Sequence, residues 1–168
     1  MRAFDPLGAL RTLMAYKVDF VVIGGLAARL HGSPTVTNDL DICHDRSATN
    51  LKRVAGALEE MEARLRLPDP AERVDISIHE RLLAATQDLT LMTGFGGFDL
   101  LARPAGTEGY NELIRGAVAL ELDRGLSVAV ASIDDIIRMK RASGRPKDLI
   151  EVEVLTALQD EMGHESER

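Results

Sequence analysis

Residues 21–42, VVIGGLAARLHGSPTVTNDLDI, decide the fold of this chain. They predict a buried strand, a tight turn at Gly24 and Gly25, a short helix, a polar loop and a second strand. Because residues i and i+2 of a strand share a face, Asp39 and Asp41 point the same way, with Cα atoms roughly 6–7 Å apart. Such carboxylates repel each other unless a cation or a proton lies between them, and N–H groups at a helix start can bind an anion. A divalent metal and a phosphate chain would satisfy both features.

The composition is that of a single globular domain. The chain has 168 residues, of which 45% are hydrophobic and 28% charged, with a net charge of −7. We expect one domain over residues 1–162 and a frayed tail over residues 163–168. No apolar run approaches the ~20 residues of a membrane span, and the start of the chain does not resemble a signal peptide. The lone Cys43 favours a reducing cytoplasm, and the negative charge confines any nucleic-acid contact to a local basic patch.

The hydrophobic pattern predicts an α+β (mixed α/β) domain, in which helices surround a mixed sheet that carries the aspartates on one face. Helices are predicted over residues 5–17, 26–30, 80–85, 108–115, 132–143 and 146–162, with another from a cap at Ser47 or Thr49 to about Leu65. Strands are predicted over residues 20–23, 39–43, 74–78, 89–93, 98–101, 118–122 and 126–130.

Asp99 is the candidate third carboxylate. It stands alone in the apolar stretch FDLL, residues 98–101, and carboxylates are seldom buried unless they are paired or bind a metal. Three aspartates with two Mg²⁺ ions can bridge a triphosphate, activate a nucleophile and stabilise a leaving pyrophosphate. The alternative is a purely structural role, in which Asp39 and Asp41 lie on a surface strand edge and Asp99 caps a turn.

A basic segment near the C-terminus supplies candidate phosphate ligands. Five Lys and Arg residues fall within residues 138–147, with no acid among them. Lys140 continues the apolar stripe of its predicted helix and therefore needs a partner. We expect Lys140 to contact phosphate, assisted by Arg145 or Lys147. The alternative is a structural ion pair of Lys140 or Lys147 with Asp148.

Three stretches together resemble a known superfamily. VIGGLAARLHGSPTVTNDLDI, GGFDLL and SIDDIIRMKRASGRPKDL are similar to the nucleotidyltransferases that share the fold of DNA polymerase beta. Within that superfamily they resemble small bacterial nucleotidyltransferase-like proteins related to abortive-infection toxins of toxin–antitoxin pairs. The resemblance covers roughly residues 10–158, and its motifs are specific as a set.

The resemblance implies a metal-dependent enzyme that moves a nucleoside monophosphate from a nucleoside triphosphate (NTP) to a hydroxyl of RNA, protein or a small molecule. Asp39, Asp41 and Asp99 match its catalytic, metal-binding carboxylates, with Mg²⁺ or Mn²⁺ as the cofactor. The third of these helps to deprotonate the acceptor. Gly24 and Gly25 match the turn that cradles the nucleotide phosphates. An antitoxin partner is a further implication.

Two positions depart from the superfamily pattern. Gly25 stands where a serine hydroxyl commonly contacts phosphate, although two glycines are usual in this branch. Thr35 stands where relatives often carry arginine. Both departures weaken the predicted phosphate contacts, so a non-catalytic nucleotide-binding or interaction module of the same fold is the alternative.

Overall fold

The computed structural model describes residues 3–69, 71–72, 74 and 76–167. These residues form seven helices and one seven-stranded sheet. The strands are β1 (Phe20–Ile23), β2 (Asp39–His44), β3 (Arg64–Leu65), β4 (Asp88–Thr93), β5 (Gly96–Leu101), β6 (Val118–Asp123) and β7 (Leu126–Val130). The helices are α1 (Pro6–Ala15), α2 (Gly24–Leu30), α3 (Ala48–Glu60), α4 (Glu80–Ala85), α5 (Tyr110–Gly116), α6 (Ile133–Ser143) and α7 (Pro146–Ser166).

The sheet is mixed, with the strand order β3-β4-β5-β2-β1-β7-β6. Strand β2 pairs antiparallel with β1 and parallel with β5, and β1 pairs parallel with β7. The remaining neighbours are antiparallel pairs. The predicted α+β domain with a mixed sheet is therefore confirmed, and β2 lies at its centre.

Local sequence signals account for most helix ends. Ser132 accepts a hydrogen bond from the Asp135 N–H at 3.1 Å and so caps α6. Gly144, with φ of +65°, ends that helix in the left-handed conformation that glycine tolerates best. Pro146 then begins α7 at a position where its missing N–H has no cost. This arrangement brings α6 and α7 together beside the sheet.

Two predicted elements were wrong around residues 60–78. Helix α3 ends at Glu60 rather than about Leu65, because Glu62 adopts φ of +54° and the Ala63 N–H bonds the Leu58 carbonyl. The chain reverses there, and the next residues pair with β4 as β3. The strand predicted over residues 74–78 is irregular at its described positions, because β3 takes the sheet edge beside β4. Asp75 lies outside the described residues.

The core fills one face of the central strands. Leu40, Ile42, Phe98 and Leu100 are essentially inaccessible to solvent, and their alternation leaves the other face of β2 and β5 for polar side chains. Helix α7 continues to Ser166, beyond its predicted end at Met162. No helix in the described part of the chain combines the length and apolar composition that a bilayer span needs.

Candidate functional site

The three predicted carboxylates lie on adjacent parallel strands. Asp39 and Asp41 belong to β2, and Asp41 pairs in register with Asp99 of β5. Residues opposite each other on one face of a sheet have neighbouring side chains, so Asp41 and Asp99 meet directly. The parallel pairing joins segments that are 58 residues apart in sequence, which the spacing of the motifs does not reveal.

Two glycines make room for the carboxylates. A Cβ on Gly97, which pairs with Asp39, would lie 1.8 Å from the Asp39 Oδ1. A Cβ on Gly24 would lie 2.1 Å from the Asp41 Oδ2, and Gly24 also has φ of +69°. Side chains larger than glycine would collide with the aspartates at both positions. The backbone therefore approaches the carboxylates more closely than any other residue type would permit.

The surroundings of Asp41 favour its protonated form. Burial of the Asp41 carboxyl, its hydrogen bond with Asp99, and the charges of Asp99 and Asp39 raise the pKa of Asp41 to about 8, against the opposing effect of Lys140. The Oδ1 of Asp99 is buried and has no hydrogen-bond partner among the described residues. A buried oxygen without a partner is costly, and it marks a place where a cation or a substrate atom would be stabilised.

Asp39 has a cationic partner. Its carboxylate accepts contacts from the Arg66 Nη1 at 3.4 and 3.5 Å. Accordingly, no three acidic, His or Cys side chains among the described residues have the spacing of a preassembled metal cluster. The chemistry of the donors nevertheless fits Mg²⁺, which prefers carboxylate oxygens and uses substrate phosphates to complete its coordination shell.

A cavity of about 330 Å³ opens beside the paired carboxylates. Gly24, Asp41 and Asp99 line one part of it, and Lys140 and Arg145 line another. The remaining lining residues include Asp88, Thr90, Leu101, Pro104, Ala105, Met139, Ser143 and Asp148. Acidic and basic groups thus line one space that can hold a small charged ligand.

A larger groove, of about 870 Å³, lies elsewhere, between α3 and residues 76–81. Its charged groups, such as Lys52, Glu59 and Arg81, have mixed signs and do not include the aspartates. We therefore assign the site to the smaller cavity, where the unusual carboxylates lie.

The predicted inward orientation of Lys140 is correct, and its partners are acidic. Its Nζ lies 2.7 Å from Glu151 and 3.8 Å from Asp148, and its side chain is 11% exposed. Glu151 also accepts a hydrogen bond from Thr35, at 2.8 Å, so the loop before β2 is tied to α7. Arg145 bonds Asp148 at 2.6 Å. These contacts give Lys140 and Arg145 structural ion pairs at the edge of the cavity.

Gly25 and Lys147 do not line the cavity, and neither do Asp39 and Arg66. A Cβ on Gly25 would lie 3.1 Å from the Thr37 side chain, so this glycine permits close packing of α2 against the loop. Lys147 is exposed on the first turn of α7. Their predicted contacts with phosphate stay predictions.

Sequence reasoning missed Gly97, Arg66 and Glu151. A glycine inside a strand pattern indicates close approach of another group, and this signal could have identified Gly97. Arg66 lies in a stretch that was assigned to the end of a helix and the following turn, and Glu151 belongs to a different helix from Lys140. Nothing in the sequence pattern associates these two residues with the aspartates.

Several solved structures have a similar fold. The lincosamide antibiotic adenylyltransferase LnuA, solved with lincomycin bound, superposes with a TM-score of 0.61 and 12% identity over 94% of this chain and 99% of its own. ANT(2")-Ia, in complex with adenylyl-2"-tobramycin, has a TM-score of 0.54 and 17% identity over 92% of this chain and 87% of its own. A putative nucleotidyltransferase from Thermotoga maritima has a TM-score of 0.50 and 18% identity over 97% of each chain.

No protein-family model and no curated protein sequence matches the chain. At these identities the likeness concerns the fold, and it extends over nearly the whole length of both chains. The fold predicted from the sequence motifs is thereby confirmed: this chain has the nucleotidyltransferase fold.

Proposed function

We propose that the protein is a metal-dependent nucleotidyltransferase that moves a nucleoside monophosphate from an NTP to a hydroxyl acceptor. One observation carries the proposal: Asp41 and Asp99 lie opposite each other on neighbouring strands beside a cavity, with Asp39 on the same face of the sheet. Carboxylates packed against one another destabilise the free protein, and a divalent cation relieves their repulsion. The nucleotidyltransferase fold adds independent support.

Asp39, Asp41 and Asp99 would hold Mg²⁺ or Mn²⁺, which would neutralise charge on the triphosphate. The turn at Gly24 and Gly25 begins α2 without a side-chain cap, so its backbone N–H groups are available to phosphate oxygens. The acceptor oxygen attacks the α-phosphorus while the bond from that phosphorus to the β-bridging oxygen breaks. Pyrophosphate leaves, and the hydroxyl proton passes to Asp99.

The cavity limits the acceptor to a group that enters a space of about 330 Å³. A small molecule fits this description, as does an RNA end or an exposed protein side chain. The overall charge of −7 disfavours extensive contacts with an RNA backbone. We therefore rank a small-molecule or protein hydroxyl above a large RNA.

The direct test incubates the protein with Mn²⁺ or Mg²⁺, each α-labelled NTP, and total RNA, protein extract or a small-molecule extract in separate reactions. We expect transfer of label in one acceptor arm and its loss in the Asp39→Ala/Asp41→Ala variant. Asp160→Ala, which removes an exposed carboxylate of α7, serves as the matched control and should retain activity. Absence of transfer in every arm, together with no NTP-dependent thermal shift, would contradict the proposal.

We further propose that the enzyme acts as the toxin of a toxin–antitoxin pair in the cytoplasm, where NTPs are abundant. The sequence resemblance supports the toxin role. Cys43 is a free thiol, and a chain without disulfides suits a reducing compartment. Induced expression should arrest growth, and the Asp39→Ala/Asp41→Ala variant should not. Equal growth of both strains at equal protein levels would contradict the toxin role.

A further inference from the structure

Arg66 lies on the face of the sheet that carries the aspartates. Its N–H donates to the Thr90 carbonyl at 3.0 Å, which extends the pairing of β3 with β4 by one residue. Thr90 pairs with Asp99, and Asp99 pairs with Asp41. Because cross-strand partners share a face, Arg66 occupies the same row of side chains as the two paired carboxylates, at the edge of the sheet.

The contact between Arg66 and Asp39 is loose. Its distances of 3.4 and 3.5 Å exceed the 2.7–2.9 Å that is typical of a charge-assisted hydrogen bond. The two side chains are 41% and 33% exposed, and exposed ion pairs contribute little to the free energy of folding. The contact therefore does not hold the fold together, and Arg66 can change partners without structural cost.

The other cations near the aspartates are more firmly held. Lys140 lies between Glu151 and Asp148, and Arg145 bonds Asp148. The Asp148 side chain is 4% exposed, so these ion pairs are largely shielded from water and costly to break. Arg66 differs in that its one ionic partner in the described part of the chain is Asp39, a residue of the proposed metal site.

We propose that Arg66 is a phosphate-binding residue of the nucleotide site, which exchanges Asp39 for the triphosphate when metal and nucleotide bind. This inference rests on the proposed function. A metal bound by the Asp39 carboxylate competes with Arg66 for the same oxygens, because both are cations. The released guanidinium then lies beside the aspartates, where the triphosphate would bind, and its planar fork of N–H donors matches phosphate oxygens.

The exchange predicts effects of opposite sign on two ligands. Without Arg66, the Asp39 carboxylate has no competing cation, so Mn²⁺ added without nucleotide binds equally well or more tightly. The metal–triphosphate complex loses a charged donor, so its binding weakens. If Arg66 merely supported the fold, its removal would weaken the binding of both ligands. The two measurements together therefore distinguish a binding role from a structural one.

The test measures Mn²⁺ binding by electron paramagnetic resonance, and binding of Mg²⁺-tripolyphosphate and of each Mg²⁺-NTP by calorimetry. Arg66→Ala should weaken tripolyphosphate and NTP binding by about tenfold or more and leave Mn²⁺ binding equal or tighter. Arg66→Lys should be intermediate, because it keeps the charge and loses the fork. The control is Arg124→Ala, which changes an exposed arginine in the turn between β6 and β7 at the opposite edge of the sheet, and it should change each affinity less than about twofold.

Three results would overturn the inference: unchanged triphosphate binding in Arg66→Ala, equal weakening of metal binding and triphosphate binding, or an equal effect of Arg124→Ala. Failure of the proposed function gives a different result. In that case the wild-type protein itself binds neither Mg²⁺-tripolyphosphate nor any Mg²⁺-NTP, and the inference falls with it.

Discussion

At the scale of single residues, the distinctive feature of the site is that two carboxyls, those of Asp41 and Asp99, lie opposite each other on neighbouring strands. Each lies on a strand whose opposite face is buried, so neither side chain can move far without disturbing the sheet. Burial and mutual repulsion raise the pKa of Asp41 to about 8, well above its value in an unfolded chain. Ionisation of both carboxyls therefore lowers the free energy of unfolding of the metal-free protein.

This pair predicts a pH dependence of the free energy of unfolding in chelator. The pKa of Asp41 is 3.8 in the unfolded chain and about 8 in the folded one. Its contribution to the free energy of unfolding is therefore complete below the unfolded pKa and is lost as the pH rises through the folded pKa. Between about pH 5 and about pH 8, wild-type protein should lose about 2 kcal/mol or more relative to Asp41→Asn in urea titrations. Asp160→Asn should follow wild type. Parallel curves for wild type and Asp41→Asn would contradict the assignment.

His44 predicts the opposite dependence. It is 2% exposed, and neither ring nitrogen has a partner among the described residues. Burial, followed by the charge of Arg46, lowers its pKa from 6.5 to about 4. The contribution of His44 to the free energy of unfolding is present above its unfolded pKa and is lost as the pH falls through its folded pKa.

Acid titrations of wild type and His44→Leu test this effect. Between about pH 6.5 and about pH 4, the variant should lose up to about 3 kcal/mol less unfolding free energy than wild type. The control, His164→Leu, changes an exposed residue of α7 and should leave the wild-type acid loss intact. An identical loss in His44→Leu would show that this residue is not the source.

At the scale of elements, the site depends on how closely α2 approaches β2. Gly24 begins α2 with φ of +69°, and a Cβ there would lie 2.1 Å from the Asp41 carboxylate. The end of β1 thus leads directly into a helix whose first residue lies against the site. The sequence predicted this turn, but it could not predict that the turn contacts Asp41.

Gly24→Ala tests the contact, with Gly125→Ala as the matched control. Gly125 has φ of +71° and open space where its Cβ would lie, so both substitutions share a backbone penalty of about 1 kcal/mol. We expect Gly24→Ala to lower the free energy of unfolding further, by about 1–2 kcal/mol, and to weaken Mn²⁺ binding. Gly125→Ala should leave Mn²⁺ binding unchanged. Equal metal binding in both variants would contradict a role for this contact in the site.

The elements that sequence predicted well are those with local signals. The cap at Ser132, the end of α6 at Gly144 and the hairpin at residues 123–125 all follow from residue types at fixed offsets. The errors at Glu60 and at residues 74–78 have a tertiary cause. The edge of β4 accepts Arg64–Leu65 as a partner, and this pairing overrides the helical periodicity that continues past Glu60.

At the scale of the whole molecule, one ionic network joins the C-terminal helices to the loop before β2. Lys140 of α6 bonds Glu151 of α7, which in turn bonds Thr35. Asp148, nearly fully buried, bonds Arg145 and lies near Lys140. Three members of this network, Lys140, Arg145 and Asp148, line the cavity.

Lys140→Met should therefore destabilise the protein strongly, since it removes the cation that compensates the Glu151 carboxylate, which is 11% exposed. We expect a loss of about 3–5 kcal/mol in unfolding free energy. The double variant Lys140→Met/Glu151→Gln should recover about 1–3 kcal/mol of it. Arg138→Ala, which removes a half-exposed cation from the same helix, should cost about 1 kcal/mol or less. A purely additive double variant would show that Lys140 and Glu151 are not coupled.

The sequence by itself determined the pattern of strands and helices around β2, the shared face of Asp39 and Asp41, and the inward orientation of Lys140. These properties follow from periodicity and from residue types within a few positions of one another. Only the tertiary structure decided that Asp99 pairs with Asp41, that Gly97 makes room for Asp39, and that Arg66 contacts Asp39. The physical reason is that strand order and register depend on long-range packing of the whole core, so the neighbours of a carboxylate across the sheet are not encoded in its local sequence.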